Sequence, residues 1–246
     1  MKTKTKTKVA LAALCLLASH GAMAKDYYLS PNGTGNGMTI DKPFGDPVKA
    51  FAALKAGDIL YVRGGTYHLS QTINVTETGT ADKRICVFAY PGDTERPVFD
   101  FAGQPRTDKN VAANNRGIMH KIGANYWHYR GLDICNSADN GMKLEGSYCV
   151  VELCRFYGNE DTGLQQGFGK DDKGNNTRNT EFKYGRYNII ATVMLTIITT
   201  HGPTVVMPTD SLSSCILVLV MSFMVAVHGT TPTTAGIFTI RFSLLL

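Results

Sequence analysis

Two aspartates 22 residues apart, Asp139 and Asp161, have the residue type and spacing best suited to chemistry. Each stands two positions before a glycine, in Asp139-Asn140-Gly141 and Asp161-Thr162-Gly163. In neighbouring coils of a stacked repeat they would lie about 4.8 Å apart, near enough for two carboxylates to share a cation. A short carboxylate before a glycine also caps turns by accepting from nearby backbone N–H groups, and that is the default role. His120 and His128 could face a groove as binding or proton-transfer groups, with packing as the default. Asp171-Asp172-Lys173 sits in a polar Gly/Asn-rich stretch and reads as solvated charge. His201 and His228 have no ligand-like neighbours at metal spacing. Gly33-x-Gly35-x-Gly37 does not stand between a strand and a helix, so it reads as a flexible turn and not a phosphate cradle. Asn32-Gly33-Thr34, Asn74-Val75-Thr76 and Asn175-Asn176-Thr177 are glycosylation sequons that arise easily in an Asn-rich chain.

A repeat positions the two aspartates. Tyr148 to Leu164 matches Tyr126 to Met142: Tyr126 aligns with Tyr148, Ile134 with Phe156, Asp139 with Asp161, Gly141 with Gly163 and Met142 with Leu164. Tyr187 to Ala191 opens a third copy, aligned with Tyr148 to Glu152. A period of this size, with several short β runs and Asn, Asp and Gly at turns, marks a solenoid. The fold class expected is all-β, a parallel β-helix with side chains stacked coil upon coil. Upstream, strands are expected at Tyr27 to Leu29, Ile59 to Val62, Gln71 to Val75, Ile85 to Ala89 and Pro97 to Asp100, with Gly64-Gly65 as a turn. Asp46-Pro47 fits the N-cap and first position of a short helix. Its apolar residues Val48, Phe51, Ala52 and Leu54 share a face, and it is expected to plug the N-terminal end of the core over 47–56, ending at Gly57-Asp58.

The composition changes at both ends. The formal charge of the 246 residues is +5, but Lys2, Lys4, Lys6 and Lys8 supply four of those charges. Without residues 1–24 the balance is +1, so net charge gives no case for a polyanion partner. Those lysines, the apolar run Val9 to Ala18 and Ala22-Met23-Ala24 read as a signal peptide cleaved before Lys25. The run is short for a membrane anchor. Five cysteines follow, Cys86, Cys135, Cys149, Cys154 and Cys215; an odd count without zinc spacing suggests small buried apolar side chains.

Residues 192–246 hold two charges, Asp210 and Arg241, whereas 25–191 hold 39. The third repeat copy stops at the same point. A reading frame shifted by one base after Ala191 continues the repeat as NCDAYNNYD, with Cys, Tyr, Asn and Asp in the register of Cys154, Tyr157, Asn159 and Asp161. The tail is therefore expected to be out of frame, poorly packed and prone to aggregate, being rich in β-formers and nearly uncharged. Its apolar run Cys215 to Val227 is short for a membrane span. The coils are expected to end near Ala191.

The chain resembles polysaccharide lyase family nine, the secreted pectate lyases of right-handed parallel β-helix fold. The resemblance rests on Tyr28-Leu29-Ser30-Pro31-Asn32-Gly33, Gly57 to Tyr67, Tyr90-Pro91-Gly92, Arg116-Gly117-Ile118, Tyr126-Trp127, Ala138-Asp139-Asn140-Gly141 and Phe156 to Gln165. It covers residues 26–191, and the shifted-frame strings NADGFA and DDGWD look like the family's calcium motifs. The resemblance implies calcium-dependent β-elimination on polygalacturonate. The proton on C5 lies α to a carboxylate; calcium on that carboxylate stabilises the developing carbanion, and a basic side chain takes the proton. In the shifted frame the family's calcium-binding aspartates fall at the Pro208/Thr209, Pro232/Thr233, Thr233/Thr234 and Gly236/Ile237 junctions. None is encoded as Asp, and the lysine base is expected beyond Leu246. No catalytic, substrate-binding or metal residue is therefore assigned.

The expected organisation is a signal peptide over 1–24, the N-terminal part of a β-helix over 25–191 with its C-terminal coils missing, and an aberrant tail over 192–246. The functional expectation is a secreted pectate-lyase-like chain, monomeric or aggregation-prone, whose family acts on acidic plant polysaccharide and which is itself inactive. The alternative is a non-catalytic module binding acidic glycans, or a remnant. No nucleic-acid partner is expected, and no membrane span after signal removal.

Overall fold

A computed structural model describes residues 23–106, 115–166 and 185–193, together with the backbone of Met194–Thr196, Val205–Val206, Leu217–Phe223 and Phe238–Ser243. Residues 1–22, with most of the signal segment, lie outside it. Strand β1 (Asp26–Leu29) and helix α1 (Pro47–Ala53) come first. The first coil holds β2 (Ile59–Val62), β3 (Gly65–His68) and β4 (Ile73–Val75); the second, β5 (Ile85–Ala89), β6 (Pro97–Asp100) and β7 (Ile118–His120). The third holds β8 (Trp127–Arg130), β9 (Asp133–Cys135) and β10 (Met142–Leu144); the fourth, β11 (Val150–Glu152), β12 (Arg155–Tyr157) and β13 (Leu164–Gln166). The fifth holds β14 (Ile189–Ala191), β15 (Met194–Thr196) and β16 (Val205–Val206), and β17 (Leu217–Phe223) and β18 (Phe238–Ser243) follow.

Successive coils pair in parallel and build three sheets along one axis. Sheet I is β1-β2-β5-β8-β11-β14-β17-β18, sheet II is β3-β6-β9-β12-β15 and sheet III is β4-β7-β10-β13-β16. This is the expected parallel β-helix. The repeat alignment is its register: Ile134 pairs with Phe156, Met142 with Leu164, and Glu152 with Ala191. Alternate side chains point inward, so Leu60, Val87, Tyr129, Val151 and Ile190 stack on sheet I's inner face, each at most 1% exposed. Outside, the repeat tyrosines form a ladder: Tyr126 stacks on Tyr148 at 4.8 Å and Tyr148 on Tyr187 at 4.9 Å.

Helix α1 closes the N-terminal end as expected. The Asp46 carboxylate accepts from the Val48 and Lys49 N–H groups, at 2.8 and 3.4 Å, and Pro47 occupies the first turn. Phe51 enters the core, stacked on Trp127 at 6.3 Å and edge-on to Phe99 at 6.1 Å. The helix ends at Ala53, earlier than expected, because Leu54 turns extended and buries its side chain completely. Buried Asp58 then accepts from the Lys55 and Lys25 backbone N–H groups, fixing the chain's entry into β1.

Two further differences have physical causes. Gly64-Gly65 is a corner and not a full turn: β3 begins at Gly65, whose φ is 118° and whose added Cβ would meet Pro31 at 2.9 Å. The ladders also continue past Ala191. Met194–Thr196 pairs with β12, Val205–Val206 with β13, and β17 with β14, and β17 then pairs antiparallel with β18. Parallel pairing uses backbone groups alone, so a run of β-formers can extend a coil without carrying the repeat's side chains.

Candidate functional site

The chain turns twice in each coil on the side that holds the conspicuous polar residues. Between sheets II and III lies the turn that carries the two aspartates. Asn136 and Gly158, at φ 55° and 65°, open equivalent copies of it. Gly117, Gly141 and Gly163 end three successive copies, and close approach makes glycine necessary at the first two. A Cβ on Gly117 would lie 2.4 Å from the Gly141 carbonyl oxygen, and one on Gly141 2.6 Å from that of Gly163.

The repeat does bring Asp139 and Asp161 into adjacent coils, where the Asp161 N–H donates to the Asp139 carbonyl at 3.3 Å. The two carboxylates differ. Arg116 Nε lies 3.1 Å from Asp139 Oδ2 but donates its hydrogen bond to Asn140 Oδ1 at 3.2 Å. This leaves the buried Asp139 Oδ2 ion-paired and without a hydrogen bond among the described residues, whereas Asn140 Nδ2 donates to Asp161 Oδ2 at 2.7 Å. The Asp139 carboxyl is pushed up by desolvation, Arg116 pulls it down, and the Asp161 charge pushes it up again. Ser137 donates to Asn159 Oδ1 at 2.8 Å, tying the same two coils. Among the described residues no group of three or more His, Cys, Asp or Glu could hold a metal ion. Calcium takes six to eight oxygen ligands. One arginine-paired carboxylate and one amide-bound carboxylate do not fit that demand.

The histidines separate. His120 is fully buried, bonded to the Tyr129 hydroxyl and the Ala124 carbonyl, and flanked edge-on by Trp127 and Tyr129. Burial lowers its pKa to about 3, so it is a neutral core group. His128 lies on the outer face of sheet I, 3.0 Å from Glu152 and edge-on to Phe88. Desolvation lowers its pKa, and Glu152 partly restores it. Cys135, Cys149 and Cys154 are buried free thiols, and Cys86 is half-buried. Burial pushes Cys149 and Cys154 up to about 12, which leaves them unreactive near neutrality. Asp171, Asp172, Lys173, His201, Cys215 and His228 fall outside the described residues.

The other turn, between sheets I and II, makes a groove that no motif announced. Only two residues connect the strands: Gly131-Leu132, Leu153-Cys154 and Thr192-Val193 in coils three to five. The first of each pair is left-handed, at φ 76°, 54° and 49°, and the second is buried. So sharp a corner sets the outer faces of the two sheets against each other around a groove of about 770 Å³. Tyr61, Phe88 and Arg130 line it from sheet I, and Arg96 and Arg155 from the opposite side. Asp133 lies at its base, 1% exposed. It accepts from Arg96 Nε at 2.7 Å and from Arg155 Nε at 2.8 Å, with a second bond from Arg155 Nη2. Their signal was weak, because arginines at positions 96, 130 and 155 share no motif and meet only through the coil register.

The family model "Pel9A-like, right handed beta helix region" matches residues 27–188. Pectate lyase L of Thermoclostridium stercorarium is 38% identical over 144 residues, covering 56% of this chain and 10% of that protein. Pectate lyase PEL9 of Emericella nidulans is 32% identical over 148 residues, covering 58% of this chain and 36% of that one. The match thus spans about a third or less of these relatives' length. The crystal structure of pectate lyase Pel9A shares the fold with a TM-score of 0.52 at 23% identity, covering 74% of this chain and 46% of that one.

Proposed function

The chain belongs to the Pel9A-like right-handed β-helix family, and on that premise we propose that it descends from a secreted pectate-lyase-type polysaccharide lyase but does not itself catalyse β-elimination. The substrate class of the parent activity is acidic pectin-type polysaccharide, as the names of its relatives suggest. The positions at the Pro208/Thr209, Pro232/Thr233, Thr233/Thr234 and Gly236/Ile237 junctions, where the family's calcium aspartates would stand, are not encoded as Asp, and this carries the reading on activity. The aspartate turn supplies no substitute: it offers two carboxylates, Asp139 beside Arg116 and Asp161 bonded to Asn140, where calcium takes six to eight oxygens. The basic n-region and the small-residue cleavage site at Ala22-Met23-Ala24 support export.

The corner at Thr192 supports a change of reading frame after Ala191. A β-branched residue there adopts φ 49°, a conformation costly for its type. The shifted frame puts Asn at that position, which tolerates the left-handed region far better. Independent sequencing across codons 189–192 tests the point, and an unbroken frame shared by close relatives would refute it. Incubation of the purified chain with polygalacturonate and calcium tests the activity. No rise in unsaturated-product absorbance is expected, and a clear rise would overturn the inactive reading.

A further inference from the structure

We infer that the groove between sheets I and II binds a carboxylated sugar of an acidic glycan, at a place separate from the aspartate turn. The inference takes only the polymer class from the family reading; the site rests on the groove's own residues. Arg96 and Arg155 share a single buried carboxylate, Asp133, which leaves one positive charge in excess at the base of the groove. Neither arginine is saturated. Arg96 uses Nε on Asp133 and Nη2 on the Leu153 carbonyl at 2.9 Å, and Arg155 uses Nε and Nη2 on Asp133. The Nη1 group of each has no protein acceptor among the described residues. Their side chains remain 34% and 40% exposed. Arg130, 57% exposed, stands across the corner and is held only by a 3.6 Å approach to Glu152.

Three guanidiniums on two walls, two of them already fixed by one carboxylate, form a preorganised receptor for a second. The rest of the groove suits a pyranose ring. Tyr61 and Phe88 offer aromatic surface from sheet I. Tyr90 closes the N-terminal end, 6.0 Å from Tyr61, with the Arg63 guanidinium 4.9 Å above its ring. Arg63 is committed to Asp93 through two bonds, at 2.7 and 2.9 Å, and so serves that wall and not the ligand. Glu95, which is exposed, is a second acid in the lining beside Asp93. The groove follows the solenoid axis with a coil step of about 4.8 Å, close to the length of a pyranose unit, so a short stretch of polymer can lie along it.

Titration calorimetry of the full chain with hexagalacturonate, in chelator and at low salt, tests the site; the uncharged galactose hexamer is the control. The acidic hexamer is expected to bind at least about tenfold more tightly than the neutral one, and Arg155→Gln and Arg130→Gln are each expected to weaken it about tenfold. Arg130 is mostly exposed, so Arg130→Gln should melt like the parent; Arg155→Gln leaves buried Asp133 Oδ2 without its donor and should melt lower, so both are titrated well below their melting temperatures. Equal affinity for the two hexamers, or unchanged affinity in both variants, would overturn the inference. Lyase activity is read separately. Turnover with calcium would refute the inactive reading while leaving the groove standing; calcium-free binding lost in the arginine variants supports the groove whether or not turnover occurs.

Discussion

His120 shows what burial does to a single titratable group. Its ring nitrogens contact only Tyr129 and Ala124, and desolvation lowers the pKa to about 3 from 6.5. The unfolded chain takes up a proton as the pH falls below about 6.5, while the folded chain stays neutral at this residue until near pH 3. This contribution to stability is therefore complete above pH 6.5 and is lost as the pH falls toward 3, at up to about 1.4 kcal/mol per pH unit. His120→Gln keeps a hydrogen-bonding group near Tyr129 but does not titrate. Urea midpoints at pH 7.5 and 5 should fall more for the parent than for this variant; equal falls would show that His120 is protonated in the fold. At the same scale, Asp139 and Asp161 share a turn but not an environment: Asp139 lies against Arg116 with a buried Oδ2 that accepts no hydrogen bond among the described residues, and Asp161 accepts from Asn140.

The element that shapes the molecule most is the two-residue corner between sheets I and II. It demands a left-handed residue followed by a buried one, and the third coil meets that with Gly131-Leu132. The fourth coil uses Leu153, at φ 54° and 40% exposed, so its side chain gains little by burial and strains the backbone. Leu153→Gly should stabilise the chain by about 1 kcal/mol, measured as a higher urea midpoint, because the left-handed cost falls on residues with a Cβ. A lower midpoint would mean that Leu153 contributes more as the groove's apolar lining than it costs as a corner. The tyrosine ladder follows the same geometry: Tyr126, Tyr148 and Tyr187 all have φ near 60°, and stacking across coils offsets their strain.

At the scale of the whole molecule, the ends decide behaviour. Helix α1 and Phe51 cover the N-terminal end of the core. At the other end β17 and β18 extend sheet I with a nearly uncharged sequence, and β18 has no neighbour on its outer side among the described residues. An apolar edge strand is a template for pairing with another chain. Sedimentation of the full chain between low and high micromolar concentration should show concentration-dependent association, whereas a concentration-independent monomer would contradict it. A solenoid of parallel coils makes such an edge at whichever coil comes last.

The amino-acid sequence carries the repeat, its register and the plugging helix in plain view. A period of 22 residues with fixed tyrosine, aspartate and glycine positions allows one in-phase stacking, and Asp46-Pro47 marks where the helix starts. It also determined the break in composition at Ala191 and carried the family's motifs. The fold was needed to show that β3 begins at Gly65, that Asp139 lies against Arg116, and that Arg96, Arg130 and Arg155 meet around one groove. The physical reason is the same in each case. A repeat states which residues share a column, because backbone pairing has a fixed period. Which columns face each other depends on the corner angle, and which charged side chains reach across depends on loops whose lengths differ from coil to coil.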